Sequence, residues 1–302
     1  CRCRVINLML SVWLRAIRIK FLLASVIAVS LGLSLSWYAG YSIDIFHAML
    51  TFAGVISLHA SVDLLNDYWD FKRGIDTKTK RTKMSGGTGV LPEGLLKPKS
   101  VYIVGIAFLI LGAIIGIYFV IIFGITIGLI LGFAILSVIF YSTKIVNWGL
   151  AEVFVTIKGT LIIIGTYYIQ SQSIDDFTIL AGIVVGVLSS LVLFVTSIPD
   201  HDVDKEKGRR TLIIIFGKAN AVKTFLIFPI LAYGIIIYGV VSGLFPIYSL
   251  IVLLAKPFLI MAILHLKDLE KSENILLSSM TNTLYFSRIA GALFVISFLI
   301  GF

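Results

Sequence analysis

Nine stretches of the sequence, at about 19–39, 44–65, 100–118, 120–140, 148–168, 177–197, 222–241, 246–265 and 282–301, are predominantly apolar over some twenty residues each. A run of that length reads as a membrane-crossing helix. About 20 residues at 1.5 Å each span the ~30 Å hydrocarbon core, and a helix satisfies its own backbone where no water can. Composition agrees: 59% of the 302 residues are hydrophobic and 14% charged, against about 25% charged in an average soluble domain. No stretch between the runs is long enough for a separate soluble domain. The expected fold is therefore all-α, a polytopic membrane protein of nine transmembrane helices forming a single domain over 1–302.

Charge orients these spans. With the N-terminus in the cytoplasm, that side holds Arg15, Arg18 and Lys20, the basic stretch from Lys72 to Lys99, Lys144, the stretch from Lys205 to Lys223, and Lys267 and Lys271. The opposite loops, near 40–44, 119, 169–176 and 242–245, hold Asp44, Asp175 and Asp176 and neither Lys nor Arg. The positive-inside rule then predicts a multi-pass protein of the cell membrane, its two long loops (66–99 and 198–221) cytoplasmic and its C-terminus on the far side. The net charge of +9 is mostly this topology signal. Its spread over short juxtamembrane loops points to the bilayer, and nucleic acid is not an expected partner. Cys1 and Cys3 have neither zinc-site nor redox spacing and are expected to have no role. Residues 1–18 are basic but lack a small-residue cleavage site, so no cleaved signal peptide is expected.

The long loops follow the second and sixth spans and open with NDYWD (66–70) and DHDVD (200–204). The four-span offset predicts two four-helix halves plus a ninth helix, with the loops as caps over a site. On a helix, residues three or four apart share a face. Asn66 with Asp70, Asp63 with Asp67, Asp67 with Asp70, and Asp200 with Asp204 thus each aim two oxygens one way. Charged residues also decorate helix ends merely to meet water and headgroups. Two similar clusters at matching places in two halves, on one side, favour a site instead. Clustered carboxylates repel unless a cation joins them. Asp and Asn oxygens suit Mg²⁺, which is usually completed by substrate phosphates. The candidate ligands are Asn66, Asp67, Asp70, Asp200 and Asp204. No His or Cys stands in a zinc pattern with them, and His201 alone is a weak pointer to a transition metal.

Facing clusters that hold Mg²⁺ imply a polyphosphate ligand. Basic and phenolic residues near them fit one: Arg18, Lys20, Lys72, Arg73, Lys78, Tyr141, Lys144, Lys205, Arg209 and Arg210. SGGTG (85–89) can bring backbone N–H groups to an anion.

With these residues the sequence resembles the UbiA superfamily of intramembrane prenyltransferases, whose members carry Asn-Asp-x-x-Asp after the second helix and Asp-x-x-x-Asp after the sixth. The resemblance covers nearly the whole chain. It implies a prenyl diphosphate donor bound through Mg²⁺ between the motifs and transfer of its isoprenyl chain to a lipophilic or aromatic acceptor. Asn66, Asp70, Asp200 and Asp204 match the metal–diphosphate positions and form the expected catalytic set. Arg18 in RIK (18–20) resembles the family's first-helix basic position, and Tyr141 and Lys144 in YSTK resemble its fourth-helix diphosphate contacts. Lys78 and Lys205 complete the expected diphosphate-binding group.

The spacing NDYWDFKRGID, together with GLAEVFVTIKGT (149–160) and GTYYIQ (165–170), is similar to the branch that prenylates 1,4-dihydroxy-2-naphthoate in menaquinone synthesis. The chain departs from that branch at SIP (197–199) and at Lys158, where the branch is usually apolar. Many family members also have an Asp where Gly74 stands. A branch that prenylates a glycerol phosphate for ether lipids shares the metal chemistry, so the acceptor stays open between the two. A reading of another class is an ion-coupled transporter, whose sites usually lie near the midplane. A CDP-alcohol phosphotransferase would need an Asp-Gly-x-x-Ala-Arg run that the sequence lacks. Lys158 and Lys256 are intramembrane lysines and hence functional candidates, Lys256 with the plainer alternative of snorkelling. Asp63, Tyr68 and Lys158 are expected near the substrate cavity, Asp63 in support of the site. Tyr68, Trp69 and Tyr141 are aromatic faces able to meet a carbocation.

Overall fold

The computed structural model describes residues 2–76, 81–82, 84–141, 144–269 and 271–301, with side chains from residue 9 onward. Among these residues there are α-helices and short 3₁₀ segments and no strand. The helices are α1 (Arg2–Ala16), α2 (Ile19–Tyr38), α3 (Ile45–Lys72), α4 (Pro98–Phe123), α5 (Ile125–Phe140), α6 (Ala151–Ser171), α7 (Asp176–Thr196), α8 (His201–Glu206), α9 (Leu212–Phe216), α10 (Ala221–Val241), α11 (Lys256–Lys267) and α12 (Glu273–Ile300). A 3₁₀ segment, Ile247–Ala255, runs straight into α11. Among the described residues, eight stretches are long and apolar enough to cross a membrane: α2, α3, α4, α6, α7, Lys218–Val241, Ile247–Lys267 and α12. The remaining expected span, α5, is a 16-residue apolar helix.

Helix ends follow capping chemistry rather than hydropathy. The Asp44 carboxylate accepts from the His47 N–H at 2.9 Å and starts α3. That helix then runs past its last apolar residue to Lys72, because no breaker occurs before Gly74, whose φ is +68°. The first carboxylate motif is therefore helical, as its three- and four-residue spacing requires, and the loop expected from 66 begins only after Lys72. At the other end of the chain the Ser272 hydroxyl accepts from the Ile275 N–H at 3.3 Å, starting α12 well before the apolar run at 282. Pro98 occupies the first turn of α4, where its missing N–H costs nothing.

Packing centres on α7, whose Leu188, Leu191 and Phe194 are buried with Phe225 of α10 and Phe286, Phe294 and Phe298 of α12. Helices α6 and α7 approach closely through small residues: a methyl group on Gly186 would stand 2.4 Å from the Thr156 carbonyl oxygen. Hydroxyls tie neighbouring helices, as in Ser190 Oγ to Glu152 O at 2.6 Å, Ser287 Oγ to Leu188 O at 2.9 Å and Ser61 Oγ to Gly105 O at 2.8 Å. These bonds are firm where no water competes, each worth roughly 0.6–2 kcal/mol in a bilayer.

Candidate active site

Two helix ends and one glycine-rich segment converge at one end of the bundle. The C-terminal turns of α3 present Asn66, Asp67 and Asp70, the last two only 2% and 4% exposed. Asp200 precedes α8 and Asp204 is buried on it. The two motifs meet on one side chain. The Arg209 guanidinium donates to Asp70 Oδ1 and, through Nη1 at 3.1 Å, to Asp204 Oδ1.

Asp67 is engaged separately. Arg18 Nη2 donates to its Oδ1 at 2.6 Å, and the Thr88 hydroxyl donates to Oδ2. Arg18 forms the corner between α1 and α2 with φ 49° and ψ 50°, a left-handed conformation costing a non-glycine residue roughly 1–2 kcal/mol. Its hydrogen bond to Asp67 aims the guanidinium at α3.

The segment 85–89 closes over these groups. Gly86 N–H donates to Asp200 Oδ2 at 3.2 Å, and the Thr88 carbonyl accepts from Arg15 Nε at 2.6 Å and Arg81 Nη1 at 3.2 Å. Gly87 has φ +71°, and a Cβ there would stand 2.4 Å from Asp76 Oδ2. Glycine is required because the backbone runs directly against a carboxylate. The segment after α8 is tied down as well: Arg210 N–H donates to Val146 O at 3.1 Å and Leu212 N–H to Glu152 Oε1 at 3.2 Å.

Burial sets the protonation of these groups. It pushes Asp200 up to about 7, with Asp204 adding repulsion, and Asp76 up to about 8, with Asp70 and Asp67 adding theirs. Asp204 is also raised by burial, against the opposing pull of Arg209. Burial opposes the charges of Arg18 and Arg209, but the carboxylates outweigh it and both stay firmly cationic. Burial keeps the Tyr141 phenol protonated.

A cavity of about 370 Å³ opens from this polar end into the bundle. Asn66, Asp70, Asp76, Asp200, Asp204 and Arg209 line its mouth; Asp63, His59, Lys158 and Arg288 line it deeper; Phe119, Ile127 and Ile169 line its apolar far end. Arg18 and Tyr141 also face it. Several expected residues lie elsewhere. Asp67 is turned to Arg18 and Thr88. Tyr68 lies about 200° around the helix from Asn66 and packs on Trp69 and Tyr102, with ring centroids at 5.2 and 4.8 Å. Lys144 is exposed over the Phe140 ring at 5.2 Å. Lys205 and Lys256 are exposed, and Asp202 turns outward to His201 and Lys218 at 2.7 and 3.0 Å. Lys78 lies outside the described residues. Sequence reasoning noted Arg209 as a nearby base but not as the bridge between motifs, and it passed over His59 and Arg288. Only the last carried a signal, a lone arginine within an apolar run.

Among the described residues, no three His, Cys, Asp or Glu side chains sit together as a metal cage. The donor set nonetheless fits a hard divalent cation that substrate oxygens complete. Asp200 Oδ1 is buried without a partner, and Asp70 and Asp204 already share one cationic group. Such an end suits a polyphosphate, and the cavity below suits a long apolar tail.

Comparison with known proteins agrees with this division. Residues 23–300 match the model of the UbiA prenyltransferase family. The chain is similar to 1,4-dihydroxy-2-naphthoate octaprenyltransferase of Escherichia coli (strain K12), 27% identical over 82% of this chain and 82% of that protein. It is also similar to the protein of the same name in Bacillus subtilis (strain 168), 26% identical over 87% of this chain and 86% of that one. Its fold resembles a UbiA homolog from Archaeoglobus fulgidus bound to DMAPP and Mg²⁺, with TM-score 0.60, 17% identity, and coverage of 93% of this chain and 98% of that one.

Proposed function

Because the chain belongs to the UbiA prenyltransferase family, and so is a multi-pass membrane prenyltransferase, we propose that it moves an isoprenyl chain from a prenyl diphosphate to an aromatic quinone precursor such as 1,4-dihydroxy-2-naphthoate, with Mg²⁺. The observation that carries this reading is the junction of the two Asp motifs at the polar mouth of an otherwise apolar cavity. The naphthoate enzymes it resembles supply the acceptor class, and the Mg²⁺-bound homolog supplies the metal.

In this reading Asn66, Asp70, Asp200 and Asp204 hold Mg²⁺, which when bound lends positive charge to the departing diphosphate. Arg18, Arg209 and Tyr141 hold diphosphate oxygens in the same mouth. Lys144 and Lys205, both exposed, attract the anion at longer range. The carbon–oxygen bond of the donor breaks with its electron pair going to the diphosphate, an acceptor ring carbon bonds the allylic carbon and gives up its proton to the released diphosphate, and the apolar walls keep water from intercepting the cation. The whole chain acts as one domain of nine spans, two four-helix halves and a ninth, with 66–99 and 198–221 capping the site on the cytoplasmic side of the cell membrane.

The test is diphosphate release from geranylgeranyl diphosphate by purified protein, with and without Mg²⁺, and product analysis by mass. We expect prenylated naphthoate only with Mg²⁺, and a fall of about 10²–10³ in kcat for Asp70→Ala or Asp204→Ala. Product from geranylgeranylglyceryl phosphate alone would move the protein to ether-lipid synthesis. Flux across proteoliposomes without product would favour an ion-coupled transporter. Undiminished transfer in the Asp variants would falsify the mechanism.

A further inference from the structure

Below the aspartate mouth, two cations face the cavity without an anion each. Lys158 comes from α6 and Arg288 from α12. Among the described residues neither forms an ion pair. Arg288 Nη1 donates to the adjacent Ser287 Oγ at 3.2 Å, and its Nε is buried with no partner. Asp63 of α3, two turns or roughly 10 Å deeper than Asp70 at 1.5 Å per residue, is a carboxylate that lines the same cavity. Its Oδ2 is 3.8 Å from His59 Nε2, while His59 Nδ1 shares a hydrogen bond of 2.7 Å with Ser25 Oγ. Arg18 belongs to the mouth, where it pairs with Asp67. The deep cluster thus holds one more cation than anion while His59 is neutral.

Charges among transmembrane helices are costly and normally pair with each other. Both residues turn to the cavity, so neither is placed to reach the headgroups from a lipid-facing surface. A cavity wall with excess positive charge, set apart from the diphosphate-binding mouth, calls for a second anion.

We propose that Lys158 and Arg288 form an anion site for the acidic group of the prenyl acceptor, a carboxylate on an aromatic ring, so that they select acidic acceptors over neutral ones. This inference rests on the prenyltransferase reading of the cavity. The acid lies against the two cations, and Asp63 and His59 offer acceptor atoms to ring hydroxyls beside it. Lys158 is thereby a specificity residue.

The experiment compares wild type with Lys158→Met and Arg288→Gln. The acceptors are 1,4-dihydroxy-2-naphthoate and 1,4-dihydroxynaphthalene, which lacks the carboxylate. In each variant the KM for the naphthoate should rise at least about tenfold. The KM for the diol and that for geranylgeranyl diphosphate should stay within about twofold, which also shows that the variants fold. Calorimetric binding of 1-hydroxy-2-naphthoate against 1-naphthol, without donor, reads the same preference whether or not transfer occurs. If geranylgeranylglyceryl phosphate is the sole acceptor and its KM rises in both variants, the anion site stands with a phosphate as its acid and only the aromatic acceptor class falls. If both variants keep the wild-type preference for acidic over neutral probes, the inference is wrong.

Discussion

At Asp200 one carboxylate oxygen accepts from Gly86 and the other is buried without a partner. Burial raises this group to about 7 and Asp76 to about 8, so around neutrality both carry protons for part of the time. A cation needs the ionised form, and below these values protons compete with it. Apparent Mg²⁺ affinity should therefore increase as pH rises from about 6 to 8 and level off above, with protons released on binding. Calorimetry in two buffers of different ionisation enthalpy checks this, and an affinity flat across that range would contradict it. The motif aspartates were visible in the sequence because their three- and four-residue spacing is a local property. That Asp70 and Asp204 share Arg209 was not, since that ion pair joins the end of α3 to the turn after α8, 139 residues further along the chain. Tyr68 and Asp67 show the converse: adjacency to a motif does not place a side chain in its cavity when each residue turns by about 100°.

Among the helices, the apolar runs located the spans but not the helix ends. Hydropathy falls where the chain reaches the headgroups, whereas a helix continues to its next cap or breaker, which is why α3 carries its motif in helical register down to Lys72. Contacts between helices are a further step removed from the sequence. Gly186 has the Thr156 carbonyl where its Cβ would be, while Gly234 on α10 has nothing within 4 Å. Gly186→Leu should force α6 and α7 apart and cost roughly 1–3 kcal/mol or more, because the obstacle is backbone. Gly234→Ala should change stability by no more than about 0.5 kcal/mol. Thermal unfolding in detergent measures both, and equal midpoints for the two variants would count against this packing.

Across the whole molecule the cavity runs from charged mouth to apolar floor. Its floor is built by α4, α5 and α6 around Phe119, Ile127 and Ile169. Gly165 lines the wall there, and a Cβ on it would meet Ile130 at 3.5 Å in ordinary contact. A large side chain would have only the cavity to fill. Gly165→Phe should lower kcat/KM for geranylgeranyl diphosphate at least about tenfold, or ~1.4 kcal/mol, and spare geranyl diphosphate. Competition between the two donors, read by product mass, decides it, and an equal loss for both would show that Gly165 does not bound the tail.

The sequence alone determined the class, the approximate spans, the charge asymmetry across them and the identity of both carboxylate motifs. Each of these depends on local composition or on spacing along one helix. Tertiary structure decided which cation joins the motifs, which residues turn away from the cavity, and that Lys158 and Arg288 look into the same space. These outcomes depend on how helices rotate and approach one another. That is set by small-residue contacts and by buried hydrogen bonds between segments far apart in the chain, and no window of sequence contains both partners.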